Sequence, residues 1–284
     1  MTPKFAVLLA GYRGHKYLYE QVFSLLGQKN VTVDIFIRVD GSCSIFTEMV
    51  KNLSIKYKNI HFIKGDVISS SGMNFYKLIL NMKDHNFDYY ALCDQDDIWE
   101  ETKLSRAHNC LKESKASGYS SGFTTFNSTG LKKRYFNGKQ QKFDHFFQSS
   151  GPGCTFVFDR KGFLFLQTYL TEFDELLSVN AHDWLIYFIF RINNVPWFID
   201  KESHLLYRQH DFNLAGINSG ITAKIKRLKL LFNGWYISDL NFLLDFATKK
   251  RISTKFNNPL QLRRSKLQSV FMWFYYWFYI KKNT

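Results

Sequence analysis

The sequence predicts an α/β fold with a mostly parallel sheet flanked by helices, and two observations carry that prediction. Short apolar runs alternate with stretches of helical periodicity through the first hundred or so residues. Glycine or acidic residues follow the ends of these runs. This is the pattern of a doubly wound sheet, in which ligands bind beyond the carboxyl ends of the strands.

The elements of this first part follow from the apolar pattern. Leucine and valine recur at helical spacing over residues 16–28, which predicts a helix there. Strands are predicted at Phe5–Ala10, Val31–Val39, Ile60–Ile63 and Tyr89–Cys93. The residues after these strands are the first candidates for a binding site, namely Gly11-Tyr12, Asp40-Gly41, Gly65-Asp66 and Asp94–Asp97.

The composition changes near residue 115. Ser117–Asn127 is rich in glycine, serine and threonine, and we interpret it as the transition to a second half. Further strands are predicted at Thr155–Phe158, Trp197–Asp200 and Leu205–Arg208, and helices at Phe163–Leu177 and His182–Ile192. We therefore divide the chain into a half at 1–115, a second half of the same domain at 116–216, and a C-terminal helical extension at 217–284.

Positive charge is concentrated in that extension. The formal net charge is +14, and residues 221–284 hold thirteen lysines and arginines against Asp239 and Asp245. A field of this kind favours a polyanionic partner, either nucleic acid or an anionic membrane surface. Lys224–Phe232 is basic and amphipathic, and the aromatic run Phe271–Tyr279 is shorter than the roughly 20 apolar residues that span a bilayer. Alternatively, the extension packs as helices on the domain with its charges solvated.

The cysteines and the N-terminus limit the class of protein. The four cysteines are far apart and form no CxxC pair, so neither a zinc knuckle nor a disulfide framework is expected. A reducing cytosol fits this pattern best. The apolar run that begins at Phe5 is too short for a signal-peptide core, and we interpret it as a buried strand.

The densest cluster of chemistry-bearing residues is Asp94-Gln95-Asp96-Asp97. It places three carboxylates within four residues directly after a predicted buried strand. Such close like charges are unfavourable unless a cation neutralises them, and hard oxygen ligands select Mg²⁺ or Mn²⁺. The alternative is a solvated acidic turn or a helix N-cap.

Two later motifs contain a candidate catalytic base and candidate residues for binding metal and phosphate. Asp183, at the start of a predicted helix, is either an N-cap or a general base that takes a proton from an acceptor hydroxyl. Trp184 would position that carboxylate by packing. At the end of a predicted strand, His210 is a candidate metal ligand and Arg208 a candidate bidentate clamp for phosphate, although a histidine here is also a common polar surface residue.

Taken together, these motifs resemble the family 2 glycosyltransferases with the GT-A fold, particularly the bacterial rhamnosyltransferase-like branch that builds O-antigen and capsule polysaccharides. The resemblance covers about residues 4–216. The family's D-Q-D-D-I-W motif is present without change at residues 94–99. The other matching segments are Ala10-Gly11-Tyr12-Arg13, Val39-Asp40-Gly41-Ser42, Gly72-Met73-Asn74-Phe75, Gly153-Cys154-Thr155, His182-Asp183-Trp184 and Tyr207-Arg208-Gln209-His210.

The resemblance implies a Rossmann-like GT-A fold and metal-dependent, inverting transfer of a sugar from dTDP-rhamnose or a UDP-hexose to a saccharide. It implies that 1–115 binds the nucleotide sugar and 116–216 the acceptor. The implied nucleotide-sugar contacts are Ala10, Tyr12, Arg13, Asp40, Asn74, Asp94, Gln95 and Asp96. Asp183 is the implied catalytic base, and Asp96 and His210 the implied ligands of Mn²⁺ or Mg²⁺. Acceptor or phosphate contacts are implied for Gly153, Cys154, His182, Trp184 and Arg208.

The resemblance also suggests a place of action. Acceptors in these pathways are sugars on lipid diphosphate, here undecaprenyl diphosphate, so we expect a cytoplasmic enzyme held peripherally on the inner face of the cell membrane by its basic tail. The alternative of a nucleic-acid-binding α/β protein rests on that tail alone, without a recognition motif. A nucleotidyltransferase is disfavoured because no glycine-rich phosphate loop follows the first strand.

Overall fold

A computed structural model of the chain describes residues 2–41, 43–68, 70–130, 132–136, 138–210 and 234–280, with the side chains of 279 and 280 left out. The described residues form nine strands and eight helices. The strands are β1 Lys4–Gly11, β2 Thr32–Val39, β3 Ile60–Lys64, β4 Tyr89–Cys93, β5 Ile98–Trp99, β6 Gly118–Phe126, β7 Lys132–Tyr135, β8 Val157–Asp159 and β9 Trp197–Arg208. The helices are α1 Leu18–Leu26, α2 Ser44–Lys56, α3 Ser71–Leu80, α4 Lys103–Ser114, α5 Arg160–Glu172, α6 His182–Ile192, α7 Gly234–Lys249 and α8 Lys266–Tyr275.

All nine strands belong to one mixed sheet. Its order is β3-β2-β1-β4-β8-β6-β9-β5. Strand β7 lies off this path and pairs with the part of β6 from Phe123 to Phe126. The strands β1 to β4 are parallel, as predicted, and β6 is parallel to β9. The short strand β8 joins these two parallel groups through antiparallel pairs with β4 and β6. The predicted mostly parallel sheet flanked by helices is therefore confirmed.

Alternation along β1 builds a hydrophobic layer on each face of this sheet. Phe5, Val7 and Leu9 point into one buried cluster, whereas Ala6 and Leu8 point into the other. Successive side chains of a strand face opposite sides, so a central strand covered on both faces is apolar throughout. All five are fully buried. Burying a side chain as large as Leu or Phe contributes about 1.5–3 kcal/mol.

The segment that composition marked as a transition is in fact the central strand β6. Small residues let its neighbours approach closely: a Cβ at Gly118 would lie 2.3 Å from the ring of Trp197, and one at Gly122 would lie 2.8 Å from the carbonyl oxygen of Tyr135. This strand was not predicted from the sequence. Glycine here makes room for neighbouring strands rather than marking a loop.

Other boundaries also differ from the sequence-based ones. The two strands predicted at Trp197–Asp200 and Leu205–Arg208 are one strand, β9, which shifts register against β6. The predicted strand at Thr155–Phe158 begins with the 3₁₀ turn Gly153–Thr155, and the helix predicted at Phe163–Leu177 ends at Glu172 before a 3₁₀ turn. Such turns commonly replace the last turn of a predicted helix.

The described part of the C-terminal extension, residues 234–280, contains the helices α7 and α8, and α7 is part of the core. Tyr236, Leu240 and Leu243 of α7 are buried in the layer that also contains much of α6. Met272 of α8 is buried in the same layer. The basic stretch Lys224–Phe232 lies outside the described residues. Within the described ranges, no helix is both long enough and apolar enough to cross a membrane.

Candidate active site

Parallel strands place the motif-bearing loops at one edge of the sheet. Gly11 pairs with Val39 at the ends of β1 and β2, and Leu9 pairs with Cys93 at the end of β4. The segments beginning at Tyr12, Asp40 and Asp94 therefore leave neighbouring strands at the same edge. This is the edge at which doubly wound sheets bind ligands.

The loop after β1 is held by Gln95. The side-chain oxygen of Gln95 accepts a hydrogen bond from the Tyr12 amide at 2.6 Å, and its Nε2 donates to the Tyr12 carbonyl at 2.7 Å. A Cβ at Gly14 would clash with the same side chain. The ring of Tyr12 is 40% exposed, and the guanidinium of Arg13 lies 5.1 Å from its centre. The loop is thus fixed while the Tyr12 ring stays accessible to a ligand.

Asp40 and Asn74 are buried behind this loop. Oδ2 of Asp40 accepts a hydrogen bond from the amide of Ile68 at 3.2 Å. Asn74 on α3 donates to the carbonyl of Gly11 at 3.3 Å and accepts from the guanidinium of Arg38. Asn74 therefore ties α3 to the end of β1, next to half-buried Ala10. Contacts of Ala10, Asp40 and Asn74 with a nucleotide sugar remain predictions.

Two of the three motif carboxylates form a cluster with Cys154. Ligand atoms of Asp94, Asp97 and Cys154 all lie within 4.8 Å of one another. Burial and the negative charges of Asp96 and Asp183 together raise the pKa of Asp94 to about 7, against a hydrogen bond with Cys154. Burial and the charge of Asp94 also raise the pKa of Asp97 well above its ordinary value. A bound cation would favour the ionised forms of these carboxyl groups.

The four members of the motif have different surroundings. Asp97 is 1% exposed, and its Oδ1 accepts a hydrogen bond from the backbone amide of Arg208 at 3.0 Å. Gln95 is turned toward Tyr12. Asp94 and Asp96 are partly exposed. Of the residues 94–97, Asp94 and Asp96 are therefore the ones placed to meet a ligand, whereas Asp97 supports the loop from inside.

The end of β9 brings His210 to Asp96. Nε2 of His210 lies 2.7 Å from Oδ2 of Asp96, and the imidazole stacks on Tyr17 at 5.2 Å. Both side chains are partly exposed. An imidazole nitrogen and a carboxylate oxygen in contact form two adjacent ligand positions for a divalent ion. The two predicted metal ligands thus lie together, although they are far apart in the sequence.

Arg208 supports the same loop. Its Nε donates to the carbonyl of Asp96 at 2.7 Å, and its guanidinium forms an ion pair with Glu20. The guanidinium carbon lies 4.5 Å from the ring centre of Tyr17 and 4.6 Å from that of Phe126. In this structure Arg208 orders the Asp96 loop, and its predicted contact with phosphate remains a prediction.

Asp183 opens α6 beside this cluster. Its Oδ1 accepts a hydrogen bond from the amide of Trp184 at 2.7 Å. Burial raises the pKa of Asp183 to about 6, while hydrogen bonds, including one with Ser149, oppose the shift. His182, the residue before Asp183, packs closely on Gly153, whose neighbour Cys154 belongs to the cluster with Asp94 and Asp97. Asp183 is therefore placed at the border of the predicted donor site.

The other predicted acceptor contacts are packed around Asp183. The imidazole of His182 stacks on Phe75 at 4.2 Å, and burial lowers its pKa to about 3, so it is neutral near pH 7. A Cβ at Gly153 would lie 2.3 Å from Nε2 of His182. Cys154 is fully buried against the carboxylate cluster, and Trp184 is 3% exposed. Gly153, Cys154 and His182 thus shape the floor of the site.

Sequence reasoning missed Asp239 of α7. Its Oδ2 accepts hydrogen bonds from the amides of Asn180 and Ala181 at 3.1 and 3.3 Å, and its Oδ1 accepts from the Asn180 side chain at 2.9 Å. These residues lead directly into the helix that carries Asp183. Asp239 is 3% exposed. An aspartate among apolar residues of a helix was the signal available in the sequence.

A buried lysine under the carboxylate cluster was also missed. Lys103 is 1% exposed, and its Nζ lies 3.4 Å from the ring centre of Trp99. Burial lowers its pKa to about 8, against the influence of Cys93, Cys154 and Asp97. Its sequence position at the start of a helix gave no sign of this burial, because lysine is rarely buried.

A cleft of about 390 Å³ lies on the side of Asp183 that faces the C-terminal helices. Aromatic and polar side chains share its lining. They are Phe147, Gln148, Ser149, Ala181, Asp183, Trp184, Trp235, Tyr236, Arg263 and Gln268.

Comparison with known proteins shows to which family this chain belongs. No protein-family model matches the chain. The dTDP-rhamnosyl transferase RfbG of Shigella flexneri is 35% identical to it over 232 residues, which cover 80% of this chain and 80% of that protein. The chain is a family 2 glycosyltransferase. It belongs to the bacterial rhamnosyltransferase-like branch, as the motifs predicted.

Solved structures of other glycosyltransferases share the fold. TarS 1–349 of S. aureus in complex with UDP-GlcNAc matches with a TM-score of 0.53 and 14% identity, over 90% of this chain and 75% of that one. The mannosyltransferase PcManGT of Pyrobaculum calidifontis in complex with GDP-Man and Mn²⁺ also matches with a TM-score of 0.53, at 10% identity, over 88% of this chain and 76% of that one. The predicted GT-A fold of this family 2 glycosyltransferase is thereby confirmed.

Proposed function

We propose that this glycosyltransferase moves a sugar, with inversion, from a nucleotide diphosphate donor to a saccharide acceptor in surface polysaccharide synthesis. The observation that carries the proposal is the packing of His182, next to Asp183, on Gly153, because the neighbouring Cys154 lies in the cluster with Asp94 and thus joins a candidate base to a candidate donor site. The donor is dTDP-rhamnose or a UDP-hexose. The name of the 35% identical relative, a dTDP-rhamnosyl transferase, favours the former.

The donor would bind at the carboxyl edge of β1, β2 and β4. The ring of Tyr12, which is 40% exposed, offers a stacking surface for the base. The proposal also includes the carboxylate of Asp40, buried behind the Tyr12 loop, as an acceptor for N–H groups of the base. Residues 1–115 would thus form the donor half and residues 116–216 the acceptor half of one domain. The remaining donor contacts in this proposal are Ala10, Arg13, Asn74, Asp94, Gln95 and Asp96.

The residues at this edge fit a divalent cation. Asp96 and His210 present adjacent oxygen and nitrogen atoms, and burial together with the charge of Asp96 raises the pKa of the neighbouring Asp94. Asp96 and His210 would hold Mn²⁺ or Mg²⁺, and carboxylate oxygens suit both ions. When bound, such an ion supplies positive charge that stabilises a departing nucleoside diphosphate. Mn²⁺ accompanies GDP-Man in the PcManGT complex.

The base in this proposal is Asp183. Its carboxylate takes the proton of an acceptor hydroxyl while the hydroxyl oxygen bonds to the anomeric carbon of the donor sugar. The bond from that carbon to the diphosphate oxygen breaks, and the nucleoside diphosphate leaves with the electron pair. Burial raises the pKa of Asp183 to about 6, which makes its carboxylate a stronger base than an exposed aspartate.

We further propose a lipid-linked acceptor, a saccharide on undecaprenyl diphosphate, and a cytoplasmic enzyme bound peripherally to the inner face of the membrane. The net charge of +14 supports attraction to anionic lipid. Phe274, Trp277 and Phe278 expose 49%, 42% and 69% of their surface at the C-terminal end of the described chain. Exposed aromatic residues of this kind favour the headgroup region.

Calorimetric titration of the purified protein with dTDP and with UDP, each with Mn²⁺ or EDTA, tests the proposal. We expect metal-dependent binding of at least one nucleotide, followed by release of that nucleotide when the matching sugar donor and an acceptor are supplied. Absence of binding to either nucleotide with Mn²⁺ present would contradict the proposal. Tight binding to nucleic acid in the same experiment would favour the alternative function.

A further inference from the structure

The cleft between Asp183 and the C-terminal helices has no assigned role. We propose that it is the subsite for the acceptor sugar and that Trp235 is its specificity-determining wall. This inference rests on the proposed function, which it deepens by assigning the acceptor site to the C-terminal segment. The occupant is the terminal, uncharged sugar ring of the acceptor.

The size and lining of the cleft fit one or two sugar rings. Its volume of about 390 Å³ is within the range of small-molecule sites, roughly 300–1,000 Å³. Sugars present apolar C–H faces and a rim of hydroxyls, so their sites combine aromatic surface with amide, hydroxyl and carboxylate groups. Phe147 and Trp235 supply the aromatic surface here, and Gln148, Ser149 and Gln268 the hydrogen-bonding groups.

The aromatic wall is rigid, and one of its rings is open to solvent. Trp184 and Tyr236 stack with ring centres 5.0 Å apart, and both are nearly buried. The hydroxyl of Tyr236 donates to the carbonyl of Phe147 at 2.8 Å, and Arg263 donates to that hydroxyl at 3.0 Å. Trp235 meets Tyr236 edge to face and is 46% exposed. The indole of Trp235 can therefore receive a ring without rearrangement of its support.

The cleft is separate from the edge of the sheet proposed to bind the donor, and the two meet at Asp183, the proposed catalytic base. Among the described residues that line it, none is a predicted nucleotide-sugar contact, and Asp183 is the carboxylate present. Nε of Arg263, which also lines the cleft, is buried and has no hydrogen-bond partner among the described residues. A ring against Trp235 would thus have Asp183 within the same cleft to receive the proton of one hydroxyl.

Helix α7 carries Trp235, which lines the cleft, and also contacts the segment that leads to Asp183, the proposed catalytic base. It carries Trp235 near its first residue and Asp239 one turn later, and Asp239 holds the segment before Asp183 through Asn180 and Ala181. Acceptor binding and base position therefore depend on the same helix. A membrane anchor alone would require neither contact.

Saturation-transfer NMR with methyl glycosides tests the inference on the full chain. The probes are methyl α-rhamnoside, methyl N-acetylglucosaminide and methyl galactoside, each with dTDP or UDP and Mg²⁺. We expect at least one glycoside to receive saturation from the wild type. Trp235→Ala should reduce that signal about five- to tenfold, while Trp235→Phe retains most of it. Phe23→Ala, which removes a similarly exposed aromatic ring outside the cleft lining, should leave it unchanged.

Nucleotide affinity measured on the same samples distinguishes a failure of the acceptor-subsite inference from a failure of the proposed function. Variants that keep wild-type nucleotide affinity and melting temperature report on the cleft alone. An unchanged glycoside signal in Trp235→Ala, or no glycoside signal from a wild type that binds nucleotide, would overturn the inference and leave the proposed function standing. Failure of the wild type to bind either nucleotide would instead overturn the proposed function.

Discussion

The carboxylate of Asp96 and the imidazole of His210 are 2.7 Å apart, although 114 positions separate them in the chain. The short strand β5, which pairs Ile98 with Leu206 of β9, creates this contact. It places the residues just before β5 beside the residues just after β9. A two-residue strand therefore determines the geometry of the candidate metal site.

Asp96→Asn and His210→Gln should each weaken Mn²⁺-dependent binding of the nucleotide. Each substitution removes one proposed ligand, and we expect affinity in the presence of Mn²⁺ to fall at least about tenfold. Calorimetric titration with and without EDTA measures the effect. His204→Gln, which changes a histidine within β9 that contacts Thr102 and Glu100, is the matched control and should bind like the wild type. Equal affinity in all four proteins would exclude this ligand pair.

Asp183→Asn should separate donor binding from turnover. The amide keeps the size of the side chain but cannot accept the proton, so we expect kcat to fall about 10²- to 10⁴-fold with nucleotide affinity unchanged. Release of nucleoside diphosphate measures the rate. Asp174→Asn, an exposed aspartate in the preceding turn, should retain full activity. Turnover near the wild-type rate in Asp183→Asn would show that another group is the base.

The activity should fall on the acid side of about pH 6. Burial raises the pKa of Asp183 to about 6, so its carboxylate is ionised above that pH and protonated below it. Only the ionised form can act as a base, and kcat should drop about tenfold per pH unit below the pKa. A pH profile of kcat between 5 and 8 measures this limb. A flat profile across this range would contradict the assignment.

Asp239→Asn should lower both stability and turnover. The amide would direct an N–H group at one or more of the donors from Asn180 and Ala181, leaving a buried group unpaired at a cost of about 1–3 kcal/mol of unfolding free energy. Urea denaturation and kcat report the two effects. Asp245→Asn, exposed on the same helix, should change stability by less than about 0.5 kcal/mol. Wild-type kcat in a folded Asp239→Asn would remove its positioning role.

Replacing Phe274, Trp277 and Phe278 by serine should release the protein from anionic vesicles without unfolding it. All three are exposed, so we expect sedimentation with phosphatidylglycerol vesicles to fall at least about fivefold and the melting temperature to be retained. Deleting α8 would be less informative, because the hydroxyl of Ser269 accepts hydrogen bonds from the amides of Leu262 and Arg263. Ile55→Ser, also highly exposed, is the control. Undiminished sedimentation of the triple variant would contradict membrane anchoring by this surface.

Local patterns were sufficient to predict the strands β1 to β4 and the ligand-binding edge, because an apolar run followed by glycine or aspartate is written in consecutive residues. They failed for β6, where Gly118 and Gly122 leave room for Trp197 and for the carbonyl of Tyr135. That use of glycine depends on which strands become neighbours. Sequence pattern alone does not contain this information.

In the candidate site too, features set by consecutive residues were predicted, and features set by distant neighbours were not. The motif around Asp96 and the positions of Asp183 and His210 were visible in the sequence, whereas Asp239 and Lys103 were not. Asp239 matters because it accepts a hydrogen bond from the amide of Asn180, which precedes α6. Lys103 is buried because it packs on the ring of Trp99. A side chain whose role depends on a distant partner has no local signature.

The position of β9 has a consequence for how the enzyme is made. Among the described strands it comes last in chain order, it lies between β6 and β5, and it brings Arg208 and His210 to the acidic loop. During synthesis, a nascent chain that stops before β9 would carry the D-Q-D-D-I-W motif without a partner for Asp96. Contacts of such long sequence separation form late in folding. Metal-dependent nucleotide binding should therefore appear only once the whole sheet is assembled, and it would serve as an assay for completed folding.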